Sequence, residues 1–160
     1  MSDTNLWILS GIPGSGKSYF AKNVLMTDDT WYYVSRDEVR YSMVGPEEKY
    51  FSKENQVFDE FCDRIIYACG CDEFHNIIAD ATHINEASRL KLLKRLSLEG
   101  VNIFCVSFNT PFKVCVERNK ARKGRQCVPE EVLKKMWNSR STPNFDNFKY
   151  AGVLEVKYNE

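Results

Sequence analysis

Leu6-Trp7-Ile8-Leu9-Ser10 runs without a break into Gly11-Ile12-Pro13-Gly14-Ser15-Gly16-Lys17-Ser18, and a segment read as an apolar helix follows. The apolar run reads as a strand, so the eight-residue stretch that follows is a phosphate loop in its required strand, loop and helix context. Glycines at 11, 14 and 16 let the backbone wrap around phosphates, so that successive N–H groups and the start of the helix face negative charge. Lys17 can reach the β and γ phosphates of ATP, and the Ser18 hydroxyl can ligate Mg²⁺. Gly11, Pro13, Gly14, Ser15, Gly16, Lys17 and Ser18 are therefore the expected cofactor-binding set, with Ser18 the metal ligand. The motif alone does not separate a kinase from a GTPase or a mechanical ATPase.

Outward from this loop, strand and helix patterns alternate. Leu6 to Ser10, Trp31 to Ser35, Ile77 to Ala79 and Val101 to Asn109 are rich in β-branched and aromatic residues, and Gly152 to Tyr158 makes a fifth such segment. Helical spacing marks Phe51 to Cys69, Glu86 to Leu98, Phe112 to Lys120 and Pro129 to Ser139. The alternation predicts an α/β protein, a parallel sheet covered by helices, with ligands bound beyond the carboxyl ends of the strands. Chemistry-bearing residues sit where that rule puts them: the phosphate loop follows the first strand, Arg36-Asp37 the second, and Asp80 to Asn85 the third.

The 160 residues, 43% hydrophobic and 28% charged, suit one globular domain spanning 1–160, and no repeat or linker points to a second. Lys+Arg and Asp+Glu are both 22, which excludes a broad positive field for long nucleic acids; a polyanion would have to be gripped locally. The six cysteines lack metal-ligand or disulfide-framework spacing, and Cys62, Cys69, Cys105 and Cys115 read as small core residues in a reduced, cytoplasmic protein. No run approaches a membrane span and no secretory leader pattern opens the chain. Trp7, Trp31 and Trp137 fall in strand or helix patterns and read as core or half-buried.

Asp37, in Ser35-Arg36-Asp37-Glu38-Val39-Arg40, falls just past the second strand, on the edge that carries the phosphate loop. A carboxylate there can take the proton of an acceptor hydroxyl, although the position also permits a helix-capping role. Arg40, three residues on, projects from the same helix face and could hold a phosphate of the acceptor or lie on the surface. Arg118, Lys120, Arg122, Lys123 and Arg125 form the most basic stretch, with Gly124 interrupting its helix. Such a segment can close over a triphosphate and neutralise the charge of the transition state. His83, without a partner pattern, reads as loop packing.

Taken together, Gly11 to Ser18, Ser35-Arg36-Asp37 with Arg40, Asp80-Ala81-Thr82-His83-Ile84-Asn85 with Arg89, and Glu117-Arg118-Asn119-Lys120-Ala121-Arg122 resemble the phage-type polynucleotide 5′-hydroxyl kinases of the P-loop kinase superfamily. The resemblance runs from the first strand through Val128-Pro129-Glu130-Glu131-Val132-Leu133. It implies a three-layer sandwich with a five-stranded parallel sheet in the order 2-3-1-4-5 and a basic helical lid. It also implies transfer of the γ-phosphate of ATP·Mg²⁺ to the 5′-hydroxyl of RNA or DNA. Lys17, Asp37, Arg118 and Arg122 would be catalytic, with Asp37 the general base and the two arginines also contacting ATP phosphates. Arg40 would take the acceptor's 3′-phosphate, and Asp80, Thr82 and Arg89 would support the acceptor pocket. Asp80 could equally hold a loop or an Mg²⁺-bound water. Many members carry a fused phosphatase or ligase module; no such module is read in these 160 residues, and no obligate protein partner is evident.

Two other readings use the same parts. One is a kinase of a small-molecule, tRNA-linked or nucleotide-sugar acceptor. The other is an ATP-binding module that moves no phosphate, against which the carboxylate at Asp37 speaks.

Overall fold

The computed structural model describes residues 3–159; the side chain of Arg125, part of the basic stretch, lies outside the described residues. Its centre is strand β1 (Asn5–Ser10), which pairs in parallel with β3 (Asn76–Asp80) on one side and β4 (Asn102–Asn109) on the other. Outer strands β2 (Trp31–Ser35) and β5 (Gly152–Lys157) complete a parallel sheet in the order 2-3-1-4-5, as expected.

A strand flanked on both sides and covered on both faces must be apolar in both directions, which explains the unbroken run Leu6 to Leu9. Leu6 and Ile8 pack under Phe61 and Ile65 of α3 (Glu54–Cys69) and Leu92 of α4 (Glu86–Leu96). Leu9, Ile78 and Val106 face the other way, onto Ala21. Each such side chain, fully buried, contributes on the order of 1.5–3 kcal/mol. Cys62, Cys105 and Cys115 are buried as free thiols, and burial pushes Cys62 and Cys105 up to about 11.

Strand register sets the site. Leu9 and Ser35 both lie opposite Asp80, so β1, β2 and β3 end level with one another. The phosphate loop, the start of α2 (Arg36–Met43) and the Asp80–Thr82 turn therefore emerge side by side, and Gly11 N–H donates to the Thr82 carbonyl at 2.8 Å.

Several boundaries differ from the sequence patterns for local reasons. The helix after the phosphate loop is α-helical only over α1 (Lys17–Phe20), then loosens into a π-type turn, Ala21–Leu25, closed by Met26 N–H on the Ala21 carbonyl. Helix α3 begins at Glu54, not Phe51, because residues 50–53 turn. Helix α4 stops at Leu96, where Ser97 adopts a left-handed conformation at φ 46°. On the far side of β4, α5 (Phe112–Lys120) ends before Gly124 as its composition implied, and α6 (Glu130–Ser139) follows. Among the described residues no helix is long and apolar enough to cross a membrane.

Candidate active site

The phosphate loop takes its shape from glycines. Gly14 and Gly16 hold φ values of 86° and 97°, in the left-handed region that favours residues without a Cβ. Gly14 also lies against the backbone of α5, where an added Cβ would stand 2.6 Å from the Cys115 carbonyl oxygen. Thr110 Oγ1 donates to the Ser15 carbonyl at 2.8 Å and fastens the loop from the same side. Gly16 precedes α1 with no side chain to cap the helix's first N–H groups, which leaves that end to be satisfied by something else.

Lys17 follows. Its Nζ donates to the Ile12 carbonyl at 3.1 Å, folding the side chain back over the loop. Burial pushes its pKa down, against the pull of the Asp80 and Asp37 carboxylates. Ser18 Oγ donates to Asp80 Oδ2 at 2.7 Å, and the Tyr33 hydroxyl donates to the same carboxylate oxygen. Burial, and then Asp80 itself, raise the pKa of Tyr33, which keeps it a donor. Asp80 thus stands on the phosphate-loop side of the cleft, committed to Ser18.

The α2 residues form the opposite end. Ser35 is the helix N-cap, its Oγ accepting from Glu38 N–H at 3.3 Å, so Asp37 is released from the capping role its position allowed. The Asp37 side chain is 60% exposed. It accepts from Arg40 Nη1 at 2.6 Å, while Arg40 Nε and Nη2 each donate at 2.7 Å to the two oxygens of Glu54. Arg40, only 7% exposed, also lies against the rings of Tyr50 and Phe51, at 5.1 and 5.0 Å from their centroids. Burial would lower its pKa, but the Glu54 hydrogen bonds and charge overcome that and raise it.

Between these ends lies one cleft of about 790 Å³. Pro13, Gly14, Gly16, Lys17 and Ser18 line it from the phosphate loop, Asp37 and Arg40 from α2, and Asp80 and Thr82 from the end of β3. Arg118 and Arg122 close it from the basic segment. Arg118 Nη1 donates to the Gly14 carbonyl at 3.2 Å, tying that segment to the phosphate loop. Asn119 holds the segment's far end by a reciprocal pair with the Val128 backbone, at 2.6 and 3.0 Å. Gly11 and Ser15 shape the loop from beneath and do not line the cleft.

One expectation is corrected. Arg89 is 0% exposed and cannot touch an acceptor. Its guanidinium donates to the His83 carbonyl at 2.9 Å, the Ser141 carbonyl at 2.8 Å and Glu86 Oε2 at 3.1 Å, so it stitches α4 to the Asp80–Asn85 turn and to the segment after α6. The resemblance placed Arg89 with the acceptor pocket, but the sequence does not show that the segment near Ser141 packs over it. His83 is buried, as its lack of partners suggested, and its Nδ1 meets the Leu9 carbonyl at 3.0 Å.

Sequence reasoning missed Glu54, Tyr33, Tyr50 and Phe51, and it assigned Arg36 no role although Arg36 also lines the cleft. Glu54 lies 14 residues from Arg40 and carries no motif. Two adjacent aromatics, Tyr50-Phe51, in a turn-rich stretch were the available signal for that wall.

A parallel 2-3-1-4-5 sheet whose first loop ends in Lys17 and Ser18, faced across a cleft by a carboxylate on the second strand's helix, is the architecture of a P-loop kinase-like, nucleotide-binding protein. The chain belongs to the AAA domain family, whose model matches residues 6–143. It is similar to a chain of the Pnkp1/Rnl/Hen1 RNA repair complex at 24% identity and a TM-score of 0.70, over 87% of this chain and 44% of that one. The chain therefore spans less than half the length of that relative. A fungal RNA kinase matches at 13% identity and a TM-score of 0.69, over 100% of this chain and 77% of its own. A sugar kinase from Janibacter sp. HTCC2649 matches at 16% identity and a TM-score of 0.63, over 95% and 85%. At these identities the likeness is one of fold.

Proposed function

We propose that this protein transfers the γ-phosphate of ATP to the 5′-hydroxyl of an RNA or DNA end. The observation that carries the proposal is the single cleft that joins Lys17, Ser18, Arg118 and Arg122 at one end to Asp37 and Arg40 at the other. Similarity to a fungal RNA kinase and to a chain of an RNA repair complex supports a nucleic-acid acceptor.

In this reaction the Asp37 carboxylate accepts the proton of the acceptor hydroxyl as that oxygen bonds to the γ phosphorus. The bond from phosphorus to the β–γ bridging oxygen breaks, and ADP departs with that electron pair. Lys17 holds the β and γ phosphates, while Arg118 and Arg122 face the equatorial oxygens where charge spreads. Arg40, fixed by Glu54, holds Asp37 in place and lines the acceptor end of the cleft. The donor set fits Mg²⁺: Ser18 Oγ and Asp80 offer hard oxygen atoms 2.7 Å apart. Mg²⁺ draws most of its ligands from phosphates and water, and Ser18 and Asp80 would supply the protein's share. When bound, Mg²⁺ would neutralise triphosphate charge beside Ser18. As such an enzyme the protein would act in the cytoplasm, with residues 1–160 working as one kinase unit.

A second reading, a small sugar-like acceptor, is favoured by the charge balance at the acceptor end. There Arg36 and Arg40 meet Asp37 and Glu54, so the pocket has less unspent positive charge than a phosphate-bearing acceptor calls for.

The test is transfer of γ-labelled phosphate from ATP to short 5′-hydroxyl RNA and DNA, 3′-phosphorylated mononucleotides and free sugars, with Asp37→Ala alongside. Labelled oligonucleotide that disappears in the variant, with ATP affinity retained, is the expected result. Labelled sugar alone would transfer the assignment to the second reading. Transfer that survives Asp37→Ala would overturn the mechanism.

A further inference from the structure

Phe51 stands on the rim of the cleft and is 49% exposed. One face of its ring lies against the Arg40 guanidinium, the same group that holds Asp37 at 2.6 Å, and Tyr50 meets it nearly edge-on with centroids 5.0 Å apart. Tyr41 of α2 continues the row, edge-on to Tyr50 at 5.6 Å and 43% exposed. Tyr50 itself is buried between them. The row starts one guanidinium away from the proposed base and leads out of the cleft.

Large aromatic surface left open to water is unfavourable unless something covers it, and here it is continuous with the acceptor end of the cleft. A polynucleotide whose 5′-hydroxyl reached Asp37 would have Phe51 one guanidinium away as its next nucleotides left the cleft. The Phe51 ring, exposed on the rim and backed by the Arg40 cation, suits unpaired bases of any sequence. A paired base offers its face only at a duplex end, so the surface selects for single strands.

We propose that Phe51 forms a stacking track for the second nucleotide of a single-stranded acceptor, and this rests on the 5′-hydroxyl kinase reading above. Affinity then comes from stacking rather than from phosphate contacts, in keeping with a chain of zero net charge.

The experiment measures KM for 5′-hydroxyl acceptors of one to four nucleotides, for a trinucleotide with an abasic second position, and for blunt duplex and 5′-overhanging ends. Binding is followed independently by the fluorescence of 2-aminopurine at the second position, using Asp37→Ala so that no turnover intervenes. KM should fall roughly tenfold from mononucleotide to trinucleotide, as one stacked base implies. Phe51→Ala and the abasic acceptor should each shrink that ratio toward one, Phe51→Trp should restore it, and 2-aminopurine should be quenched unless Phe51 is removed. Blunt ends should be poorer acceptors than overhangs.

If Phe51→Ala raised KM equally for one and three nucleotides, the ring would only brace Arg40 and the track would be refuted. A length-independent KM, or equal use of blunt ends, would refute it while leaving the kinase function standing. No transfer to any nucleotide acceptor would remove both.

Discussion

Glu54 offers the sharpest test of how this site is built. Its carboxylate receives two charge-assisted hydrogen bonds from Arg40, both 2.7 Å long, and Arg40 is nearly buried whereas Glu54 is 33% exposed. Bonds of this kind contribute about 1.5–3 kcal/mol each where water is excluded. Water reaches Glu54, and Arg40 keeps Asp37 after the loss, so the sum must be discounted. Glu54→Ala should destabilise the fold by about 2–3 kcal/mol, and Glu54→Gln, which keeps an acceptor oxygen, by about half that. In urea unfolding this is a midpoint shift of roughly 1 M with an unchanged slope. Phosphate transfer should slow about tenfold as Asp37 loses its fixed partner, equivalent to about 1.4 kcal/mol of transition-state stabilisation.

The pH dependence has a definite sign. Burial alone would raise the Glu54 pKa, but the hydrogen bonds and charge of Arg40, then of Arg36, hold it below the usual range. A depressed carboxyl stabilises the fold above its unfolded pKa of about 4.3 and ceases to do so as pH falls through the folded value. The gap between wild type and Glu54→Ala should therefore be widest near neutrality and close in acid. A change below about 0.5 kcal/mol at pH 7 would mean that the pair is worth no more than a surface ion pair, and the account of Arg40 would fail.

Other changes separate fold from function. Gly14→Ala would place a Cβ in the left-handed region and 2.6 Å from the Cys115 carbonyl oxygen, so it should lower stability by at least about 2 kcal/mol and weaken ATP binding by displacing the helix that carries Arg118. Gly124→Ala, also left-handed but with nothing near its Cβ, should incur only about 1 kcal/mol of backbone strain in the same unfolding assay. Burial pushes His83 down to about 3, so folding excludes a proton that the unfolded chain binds below about pH 6.5. Stability should fall by about 2 kcal/mol between pH 6.5 and 5, and His83→Asn should remove that slope. Arg89→Met should destabilise by about 3–5 kcal/mol, read by thermal unfolding, while leaving the acceptor KM of the surviving folded enzyme unaltered.

The unbroken apolar run Leu6 to Leu9 and the glycine spacing after it carried the fold and the nucleotide site in local sequence, because a two-sided strand and a left-handed glycine loop each follow from residues close together in the chain. The order of the strands came from the resemblance to a known family, whereas the placement of Asp37 and Asp80 along one edge of the sheet followed once parallel pairing was granted. Residue partners separated in sequence were another matter. Arg40 pairs with Glu54 across a turn, Asp80 with Ser18 and Tyr33 across the sheet, and Arg89 disappears beneath the segment near Ser141. Charge and hydrogen-bonding capacity are properties of a side chain and can be read one residue at a time. Whether that capacity is already used inside the protein or remains open to a substrate depends on burial and on partners brought together by packing, so the cleft's true donors, its Phe51 rim and the withdrawal of Arg89 were decided by tertiary structure alone.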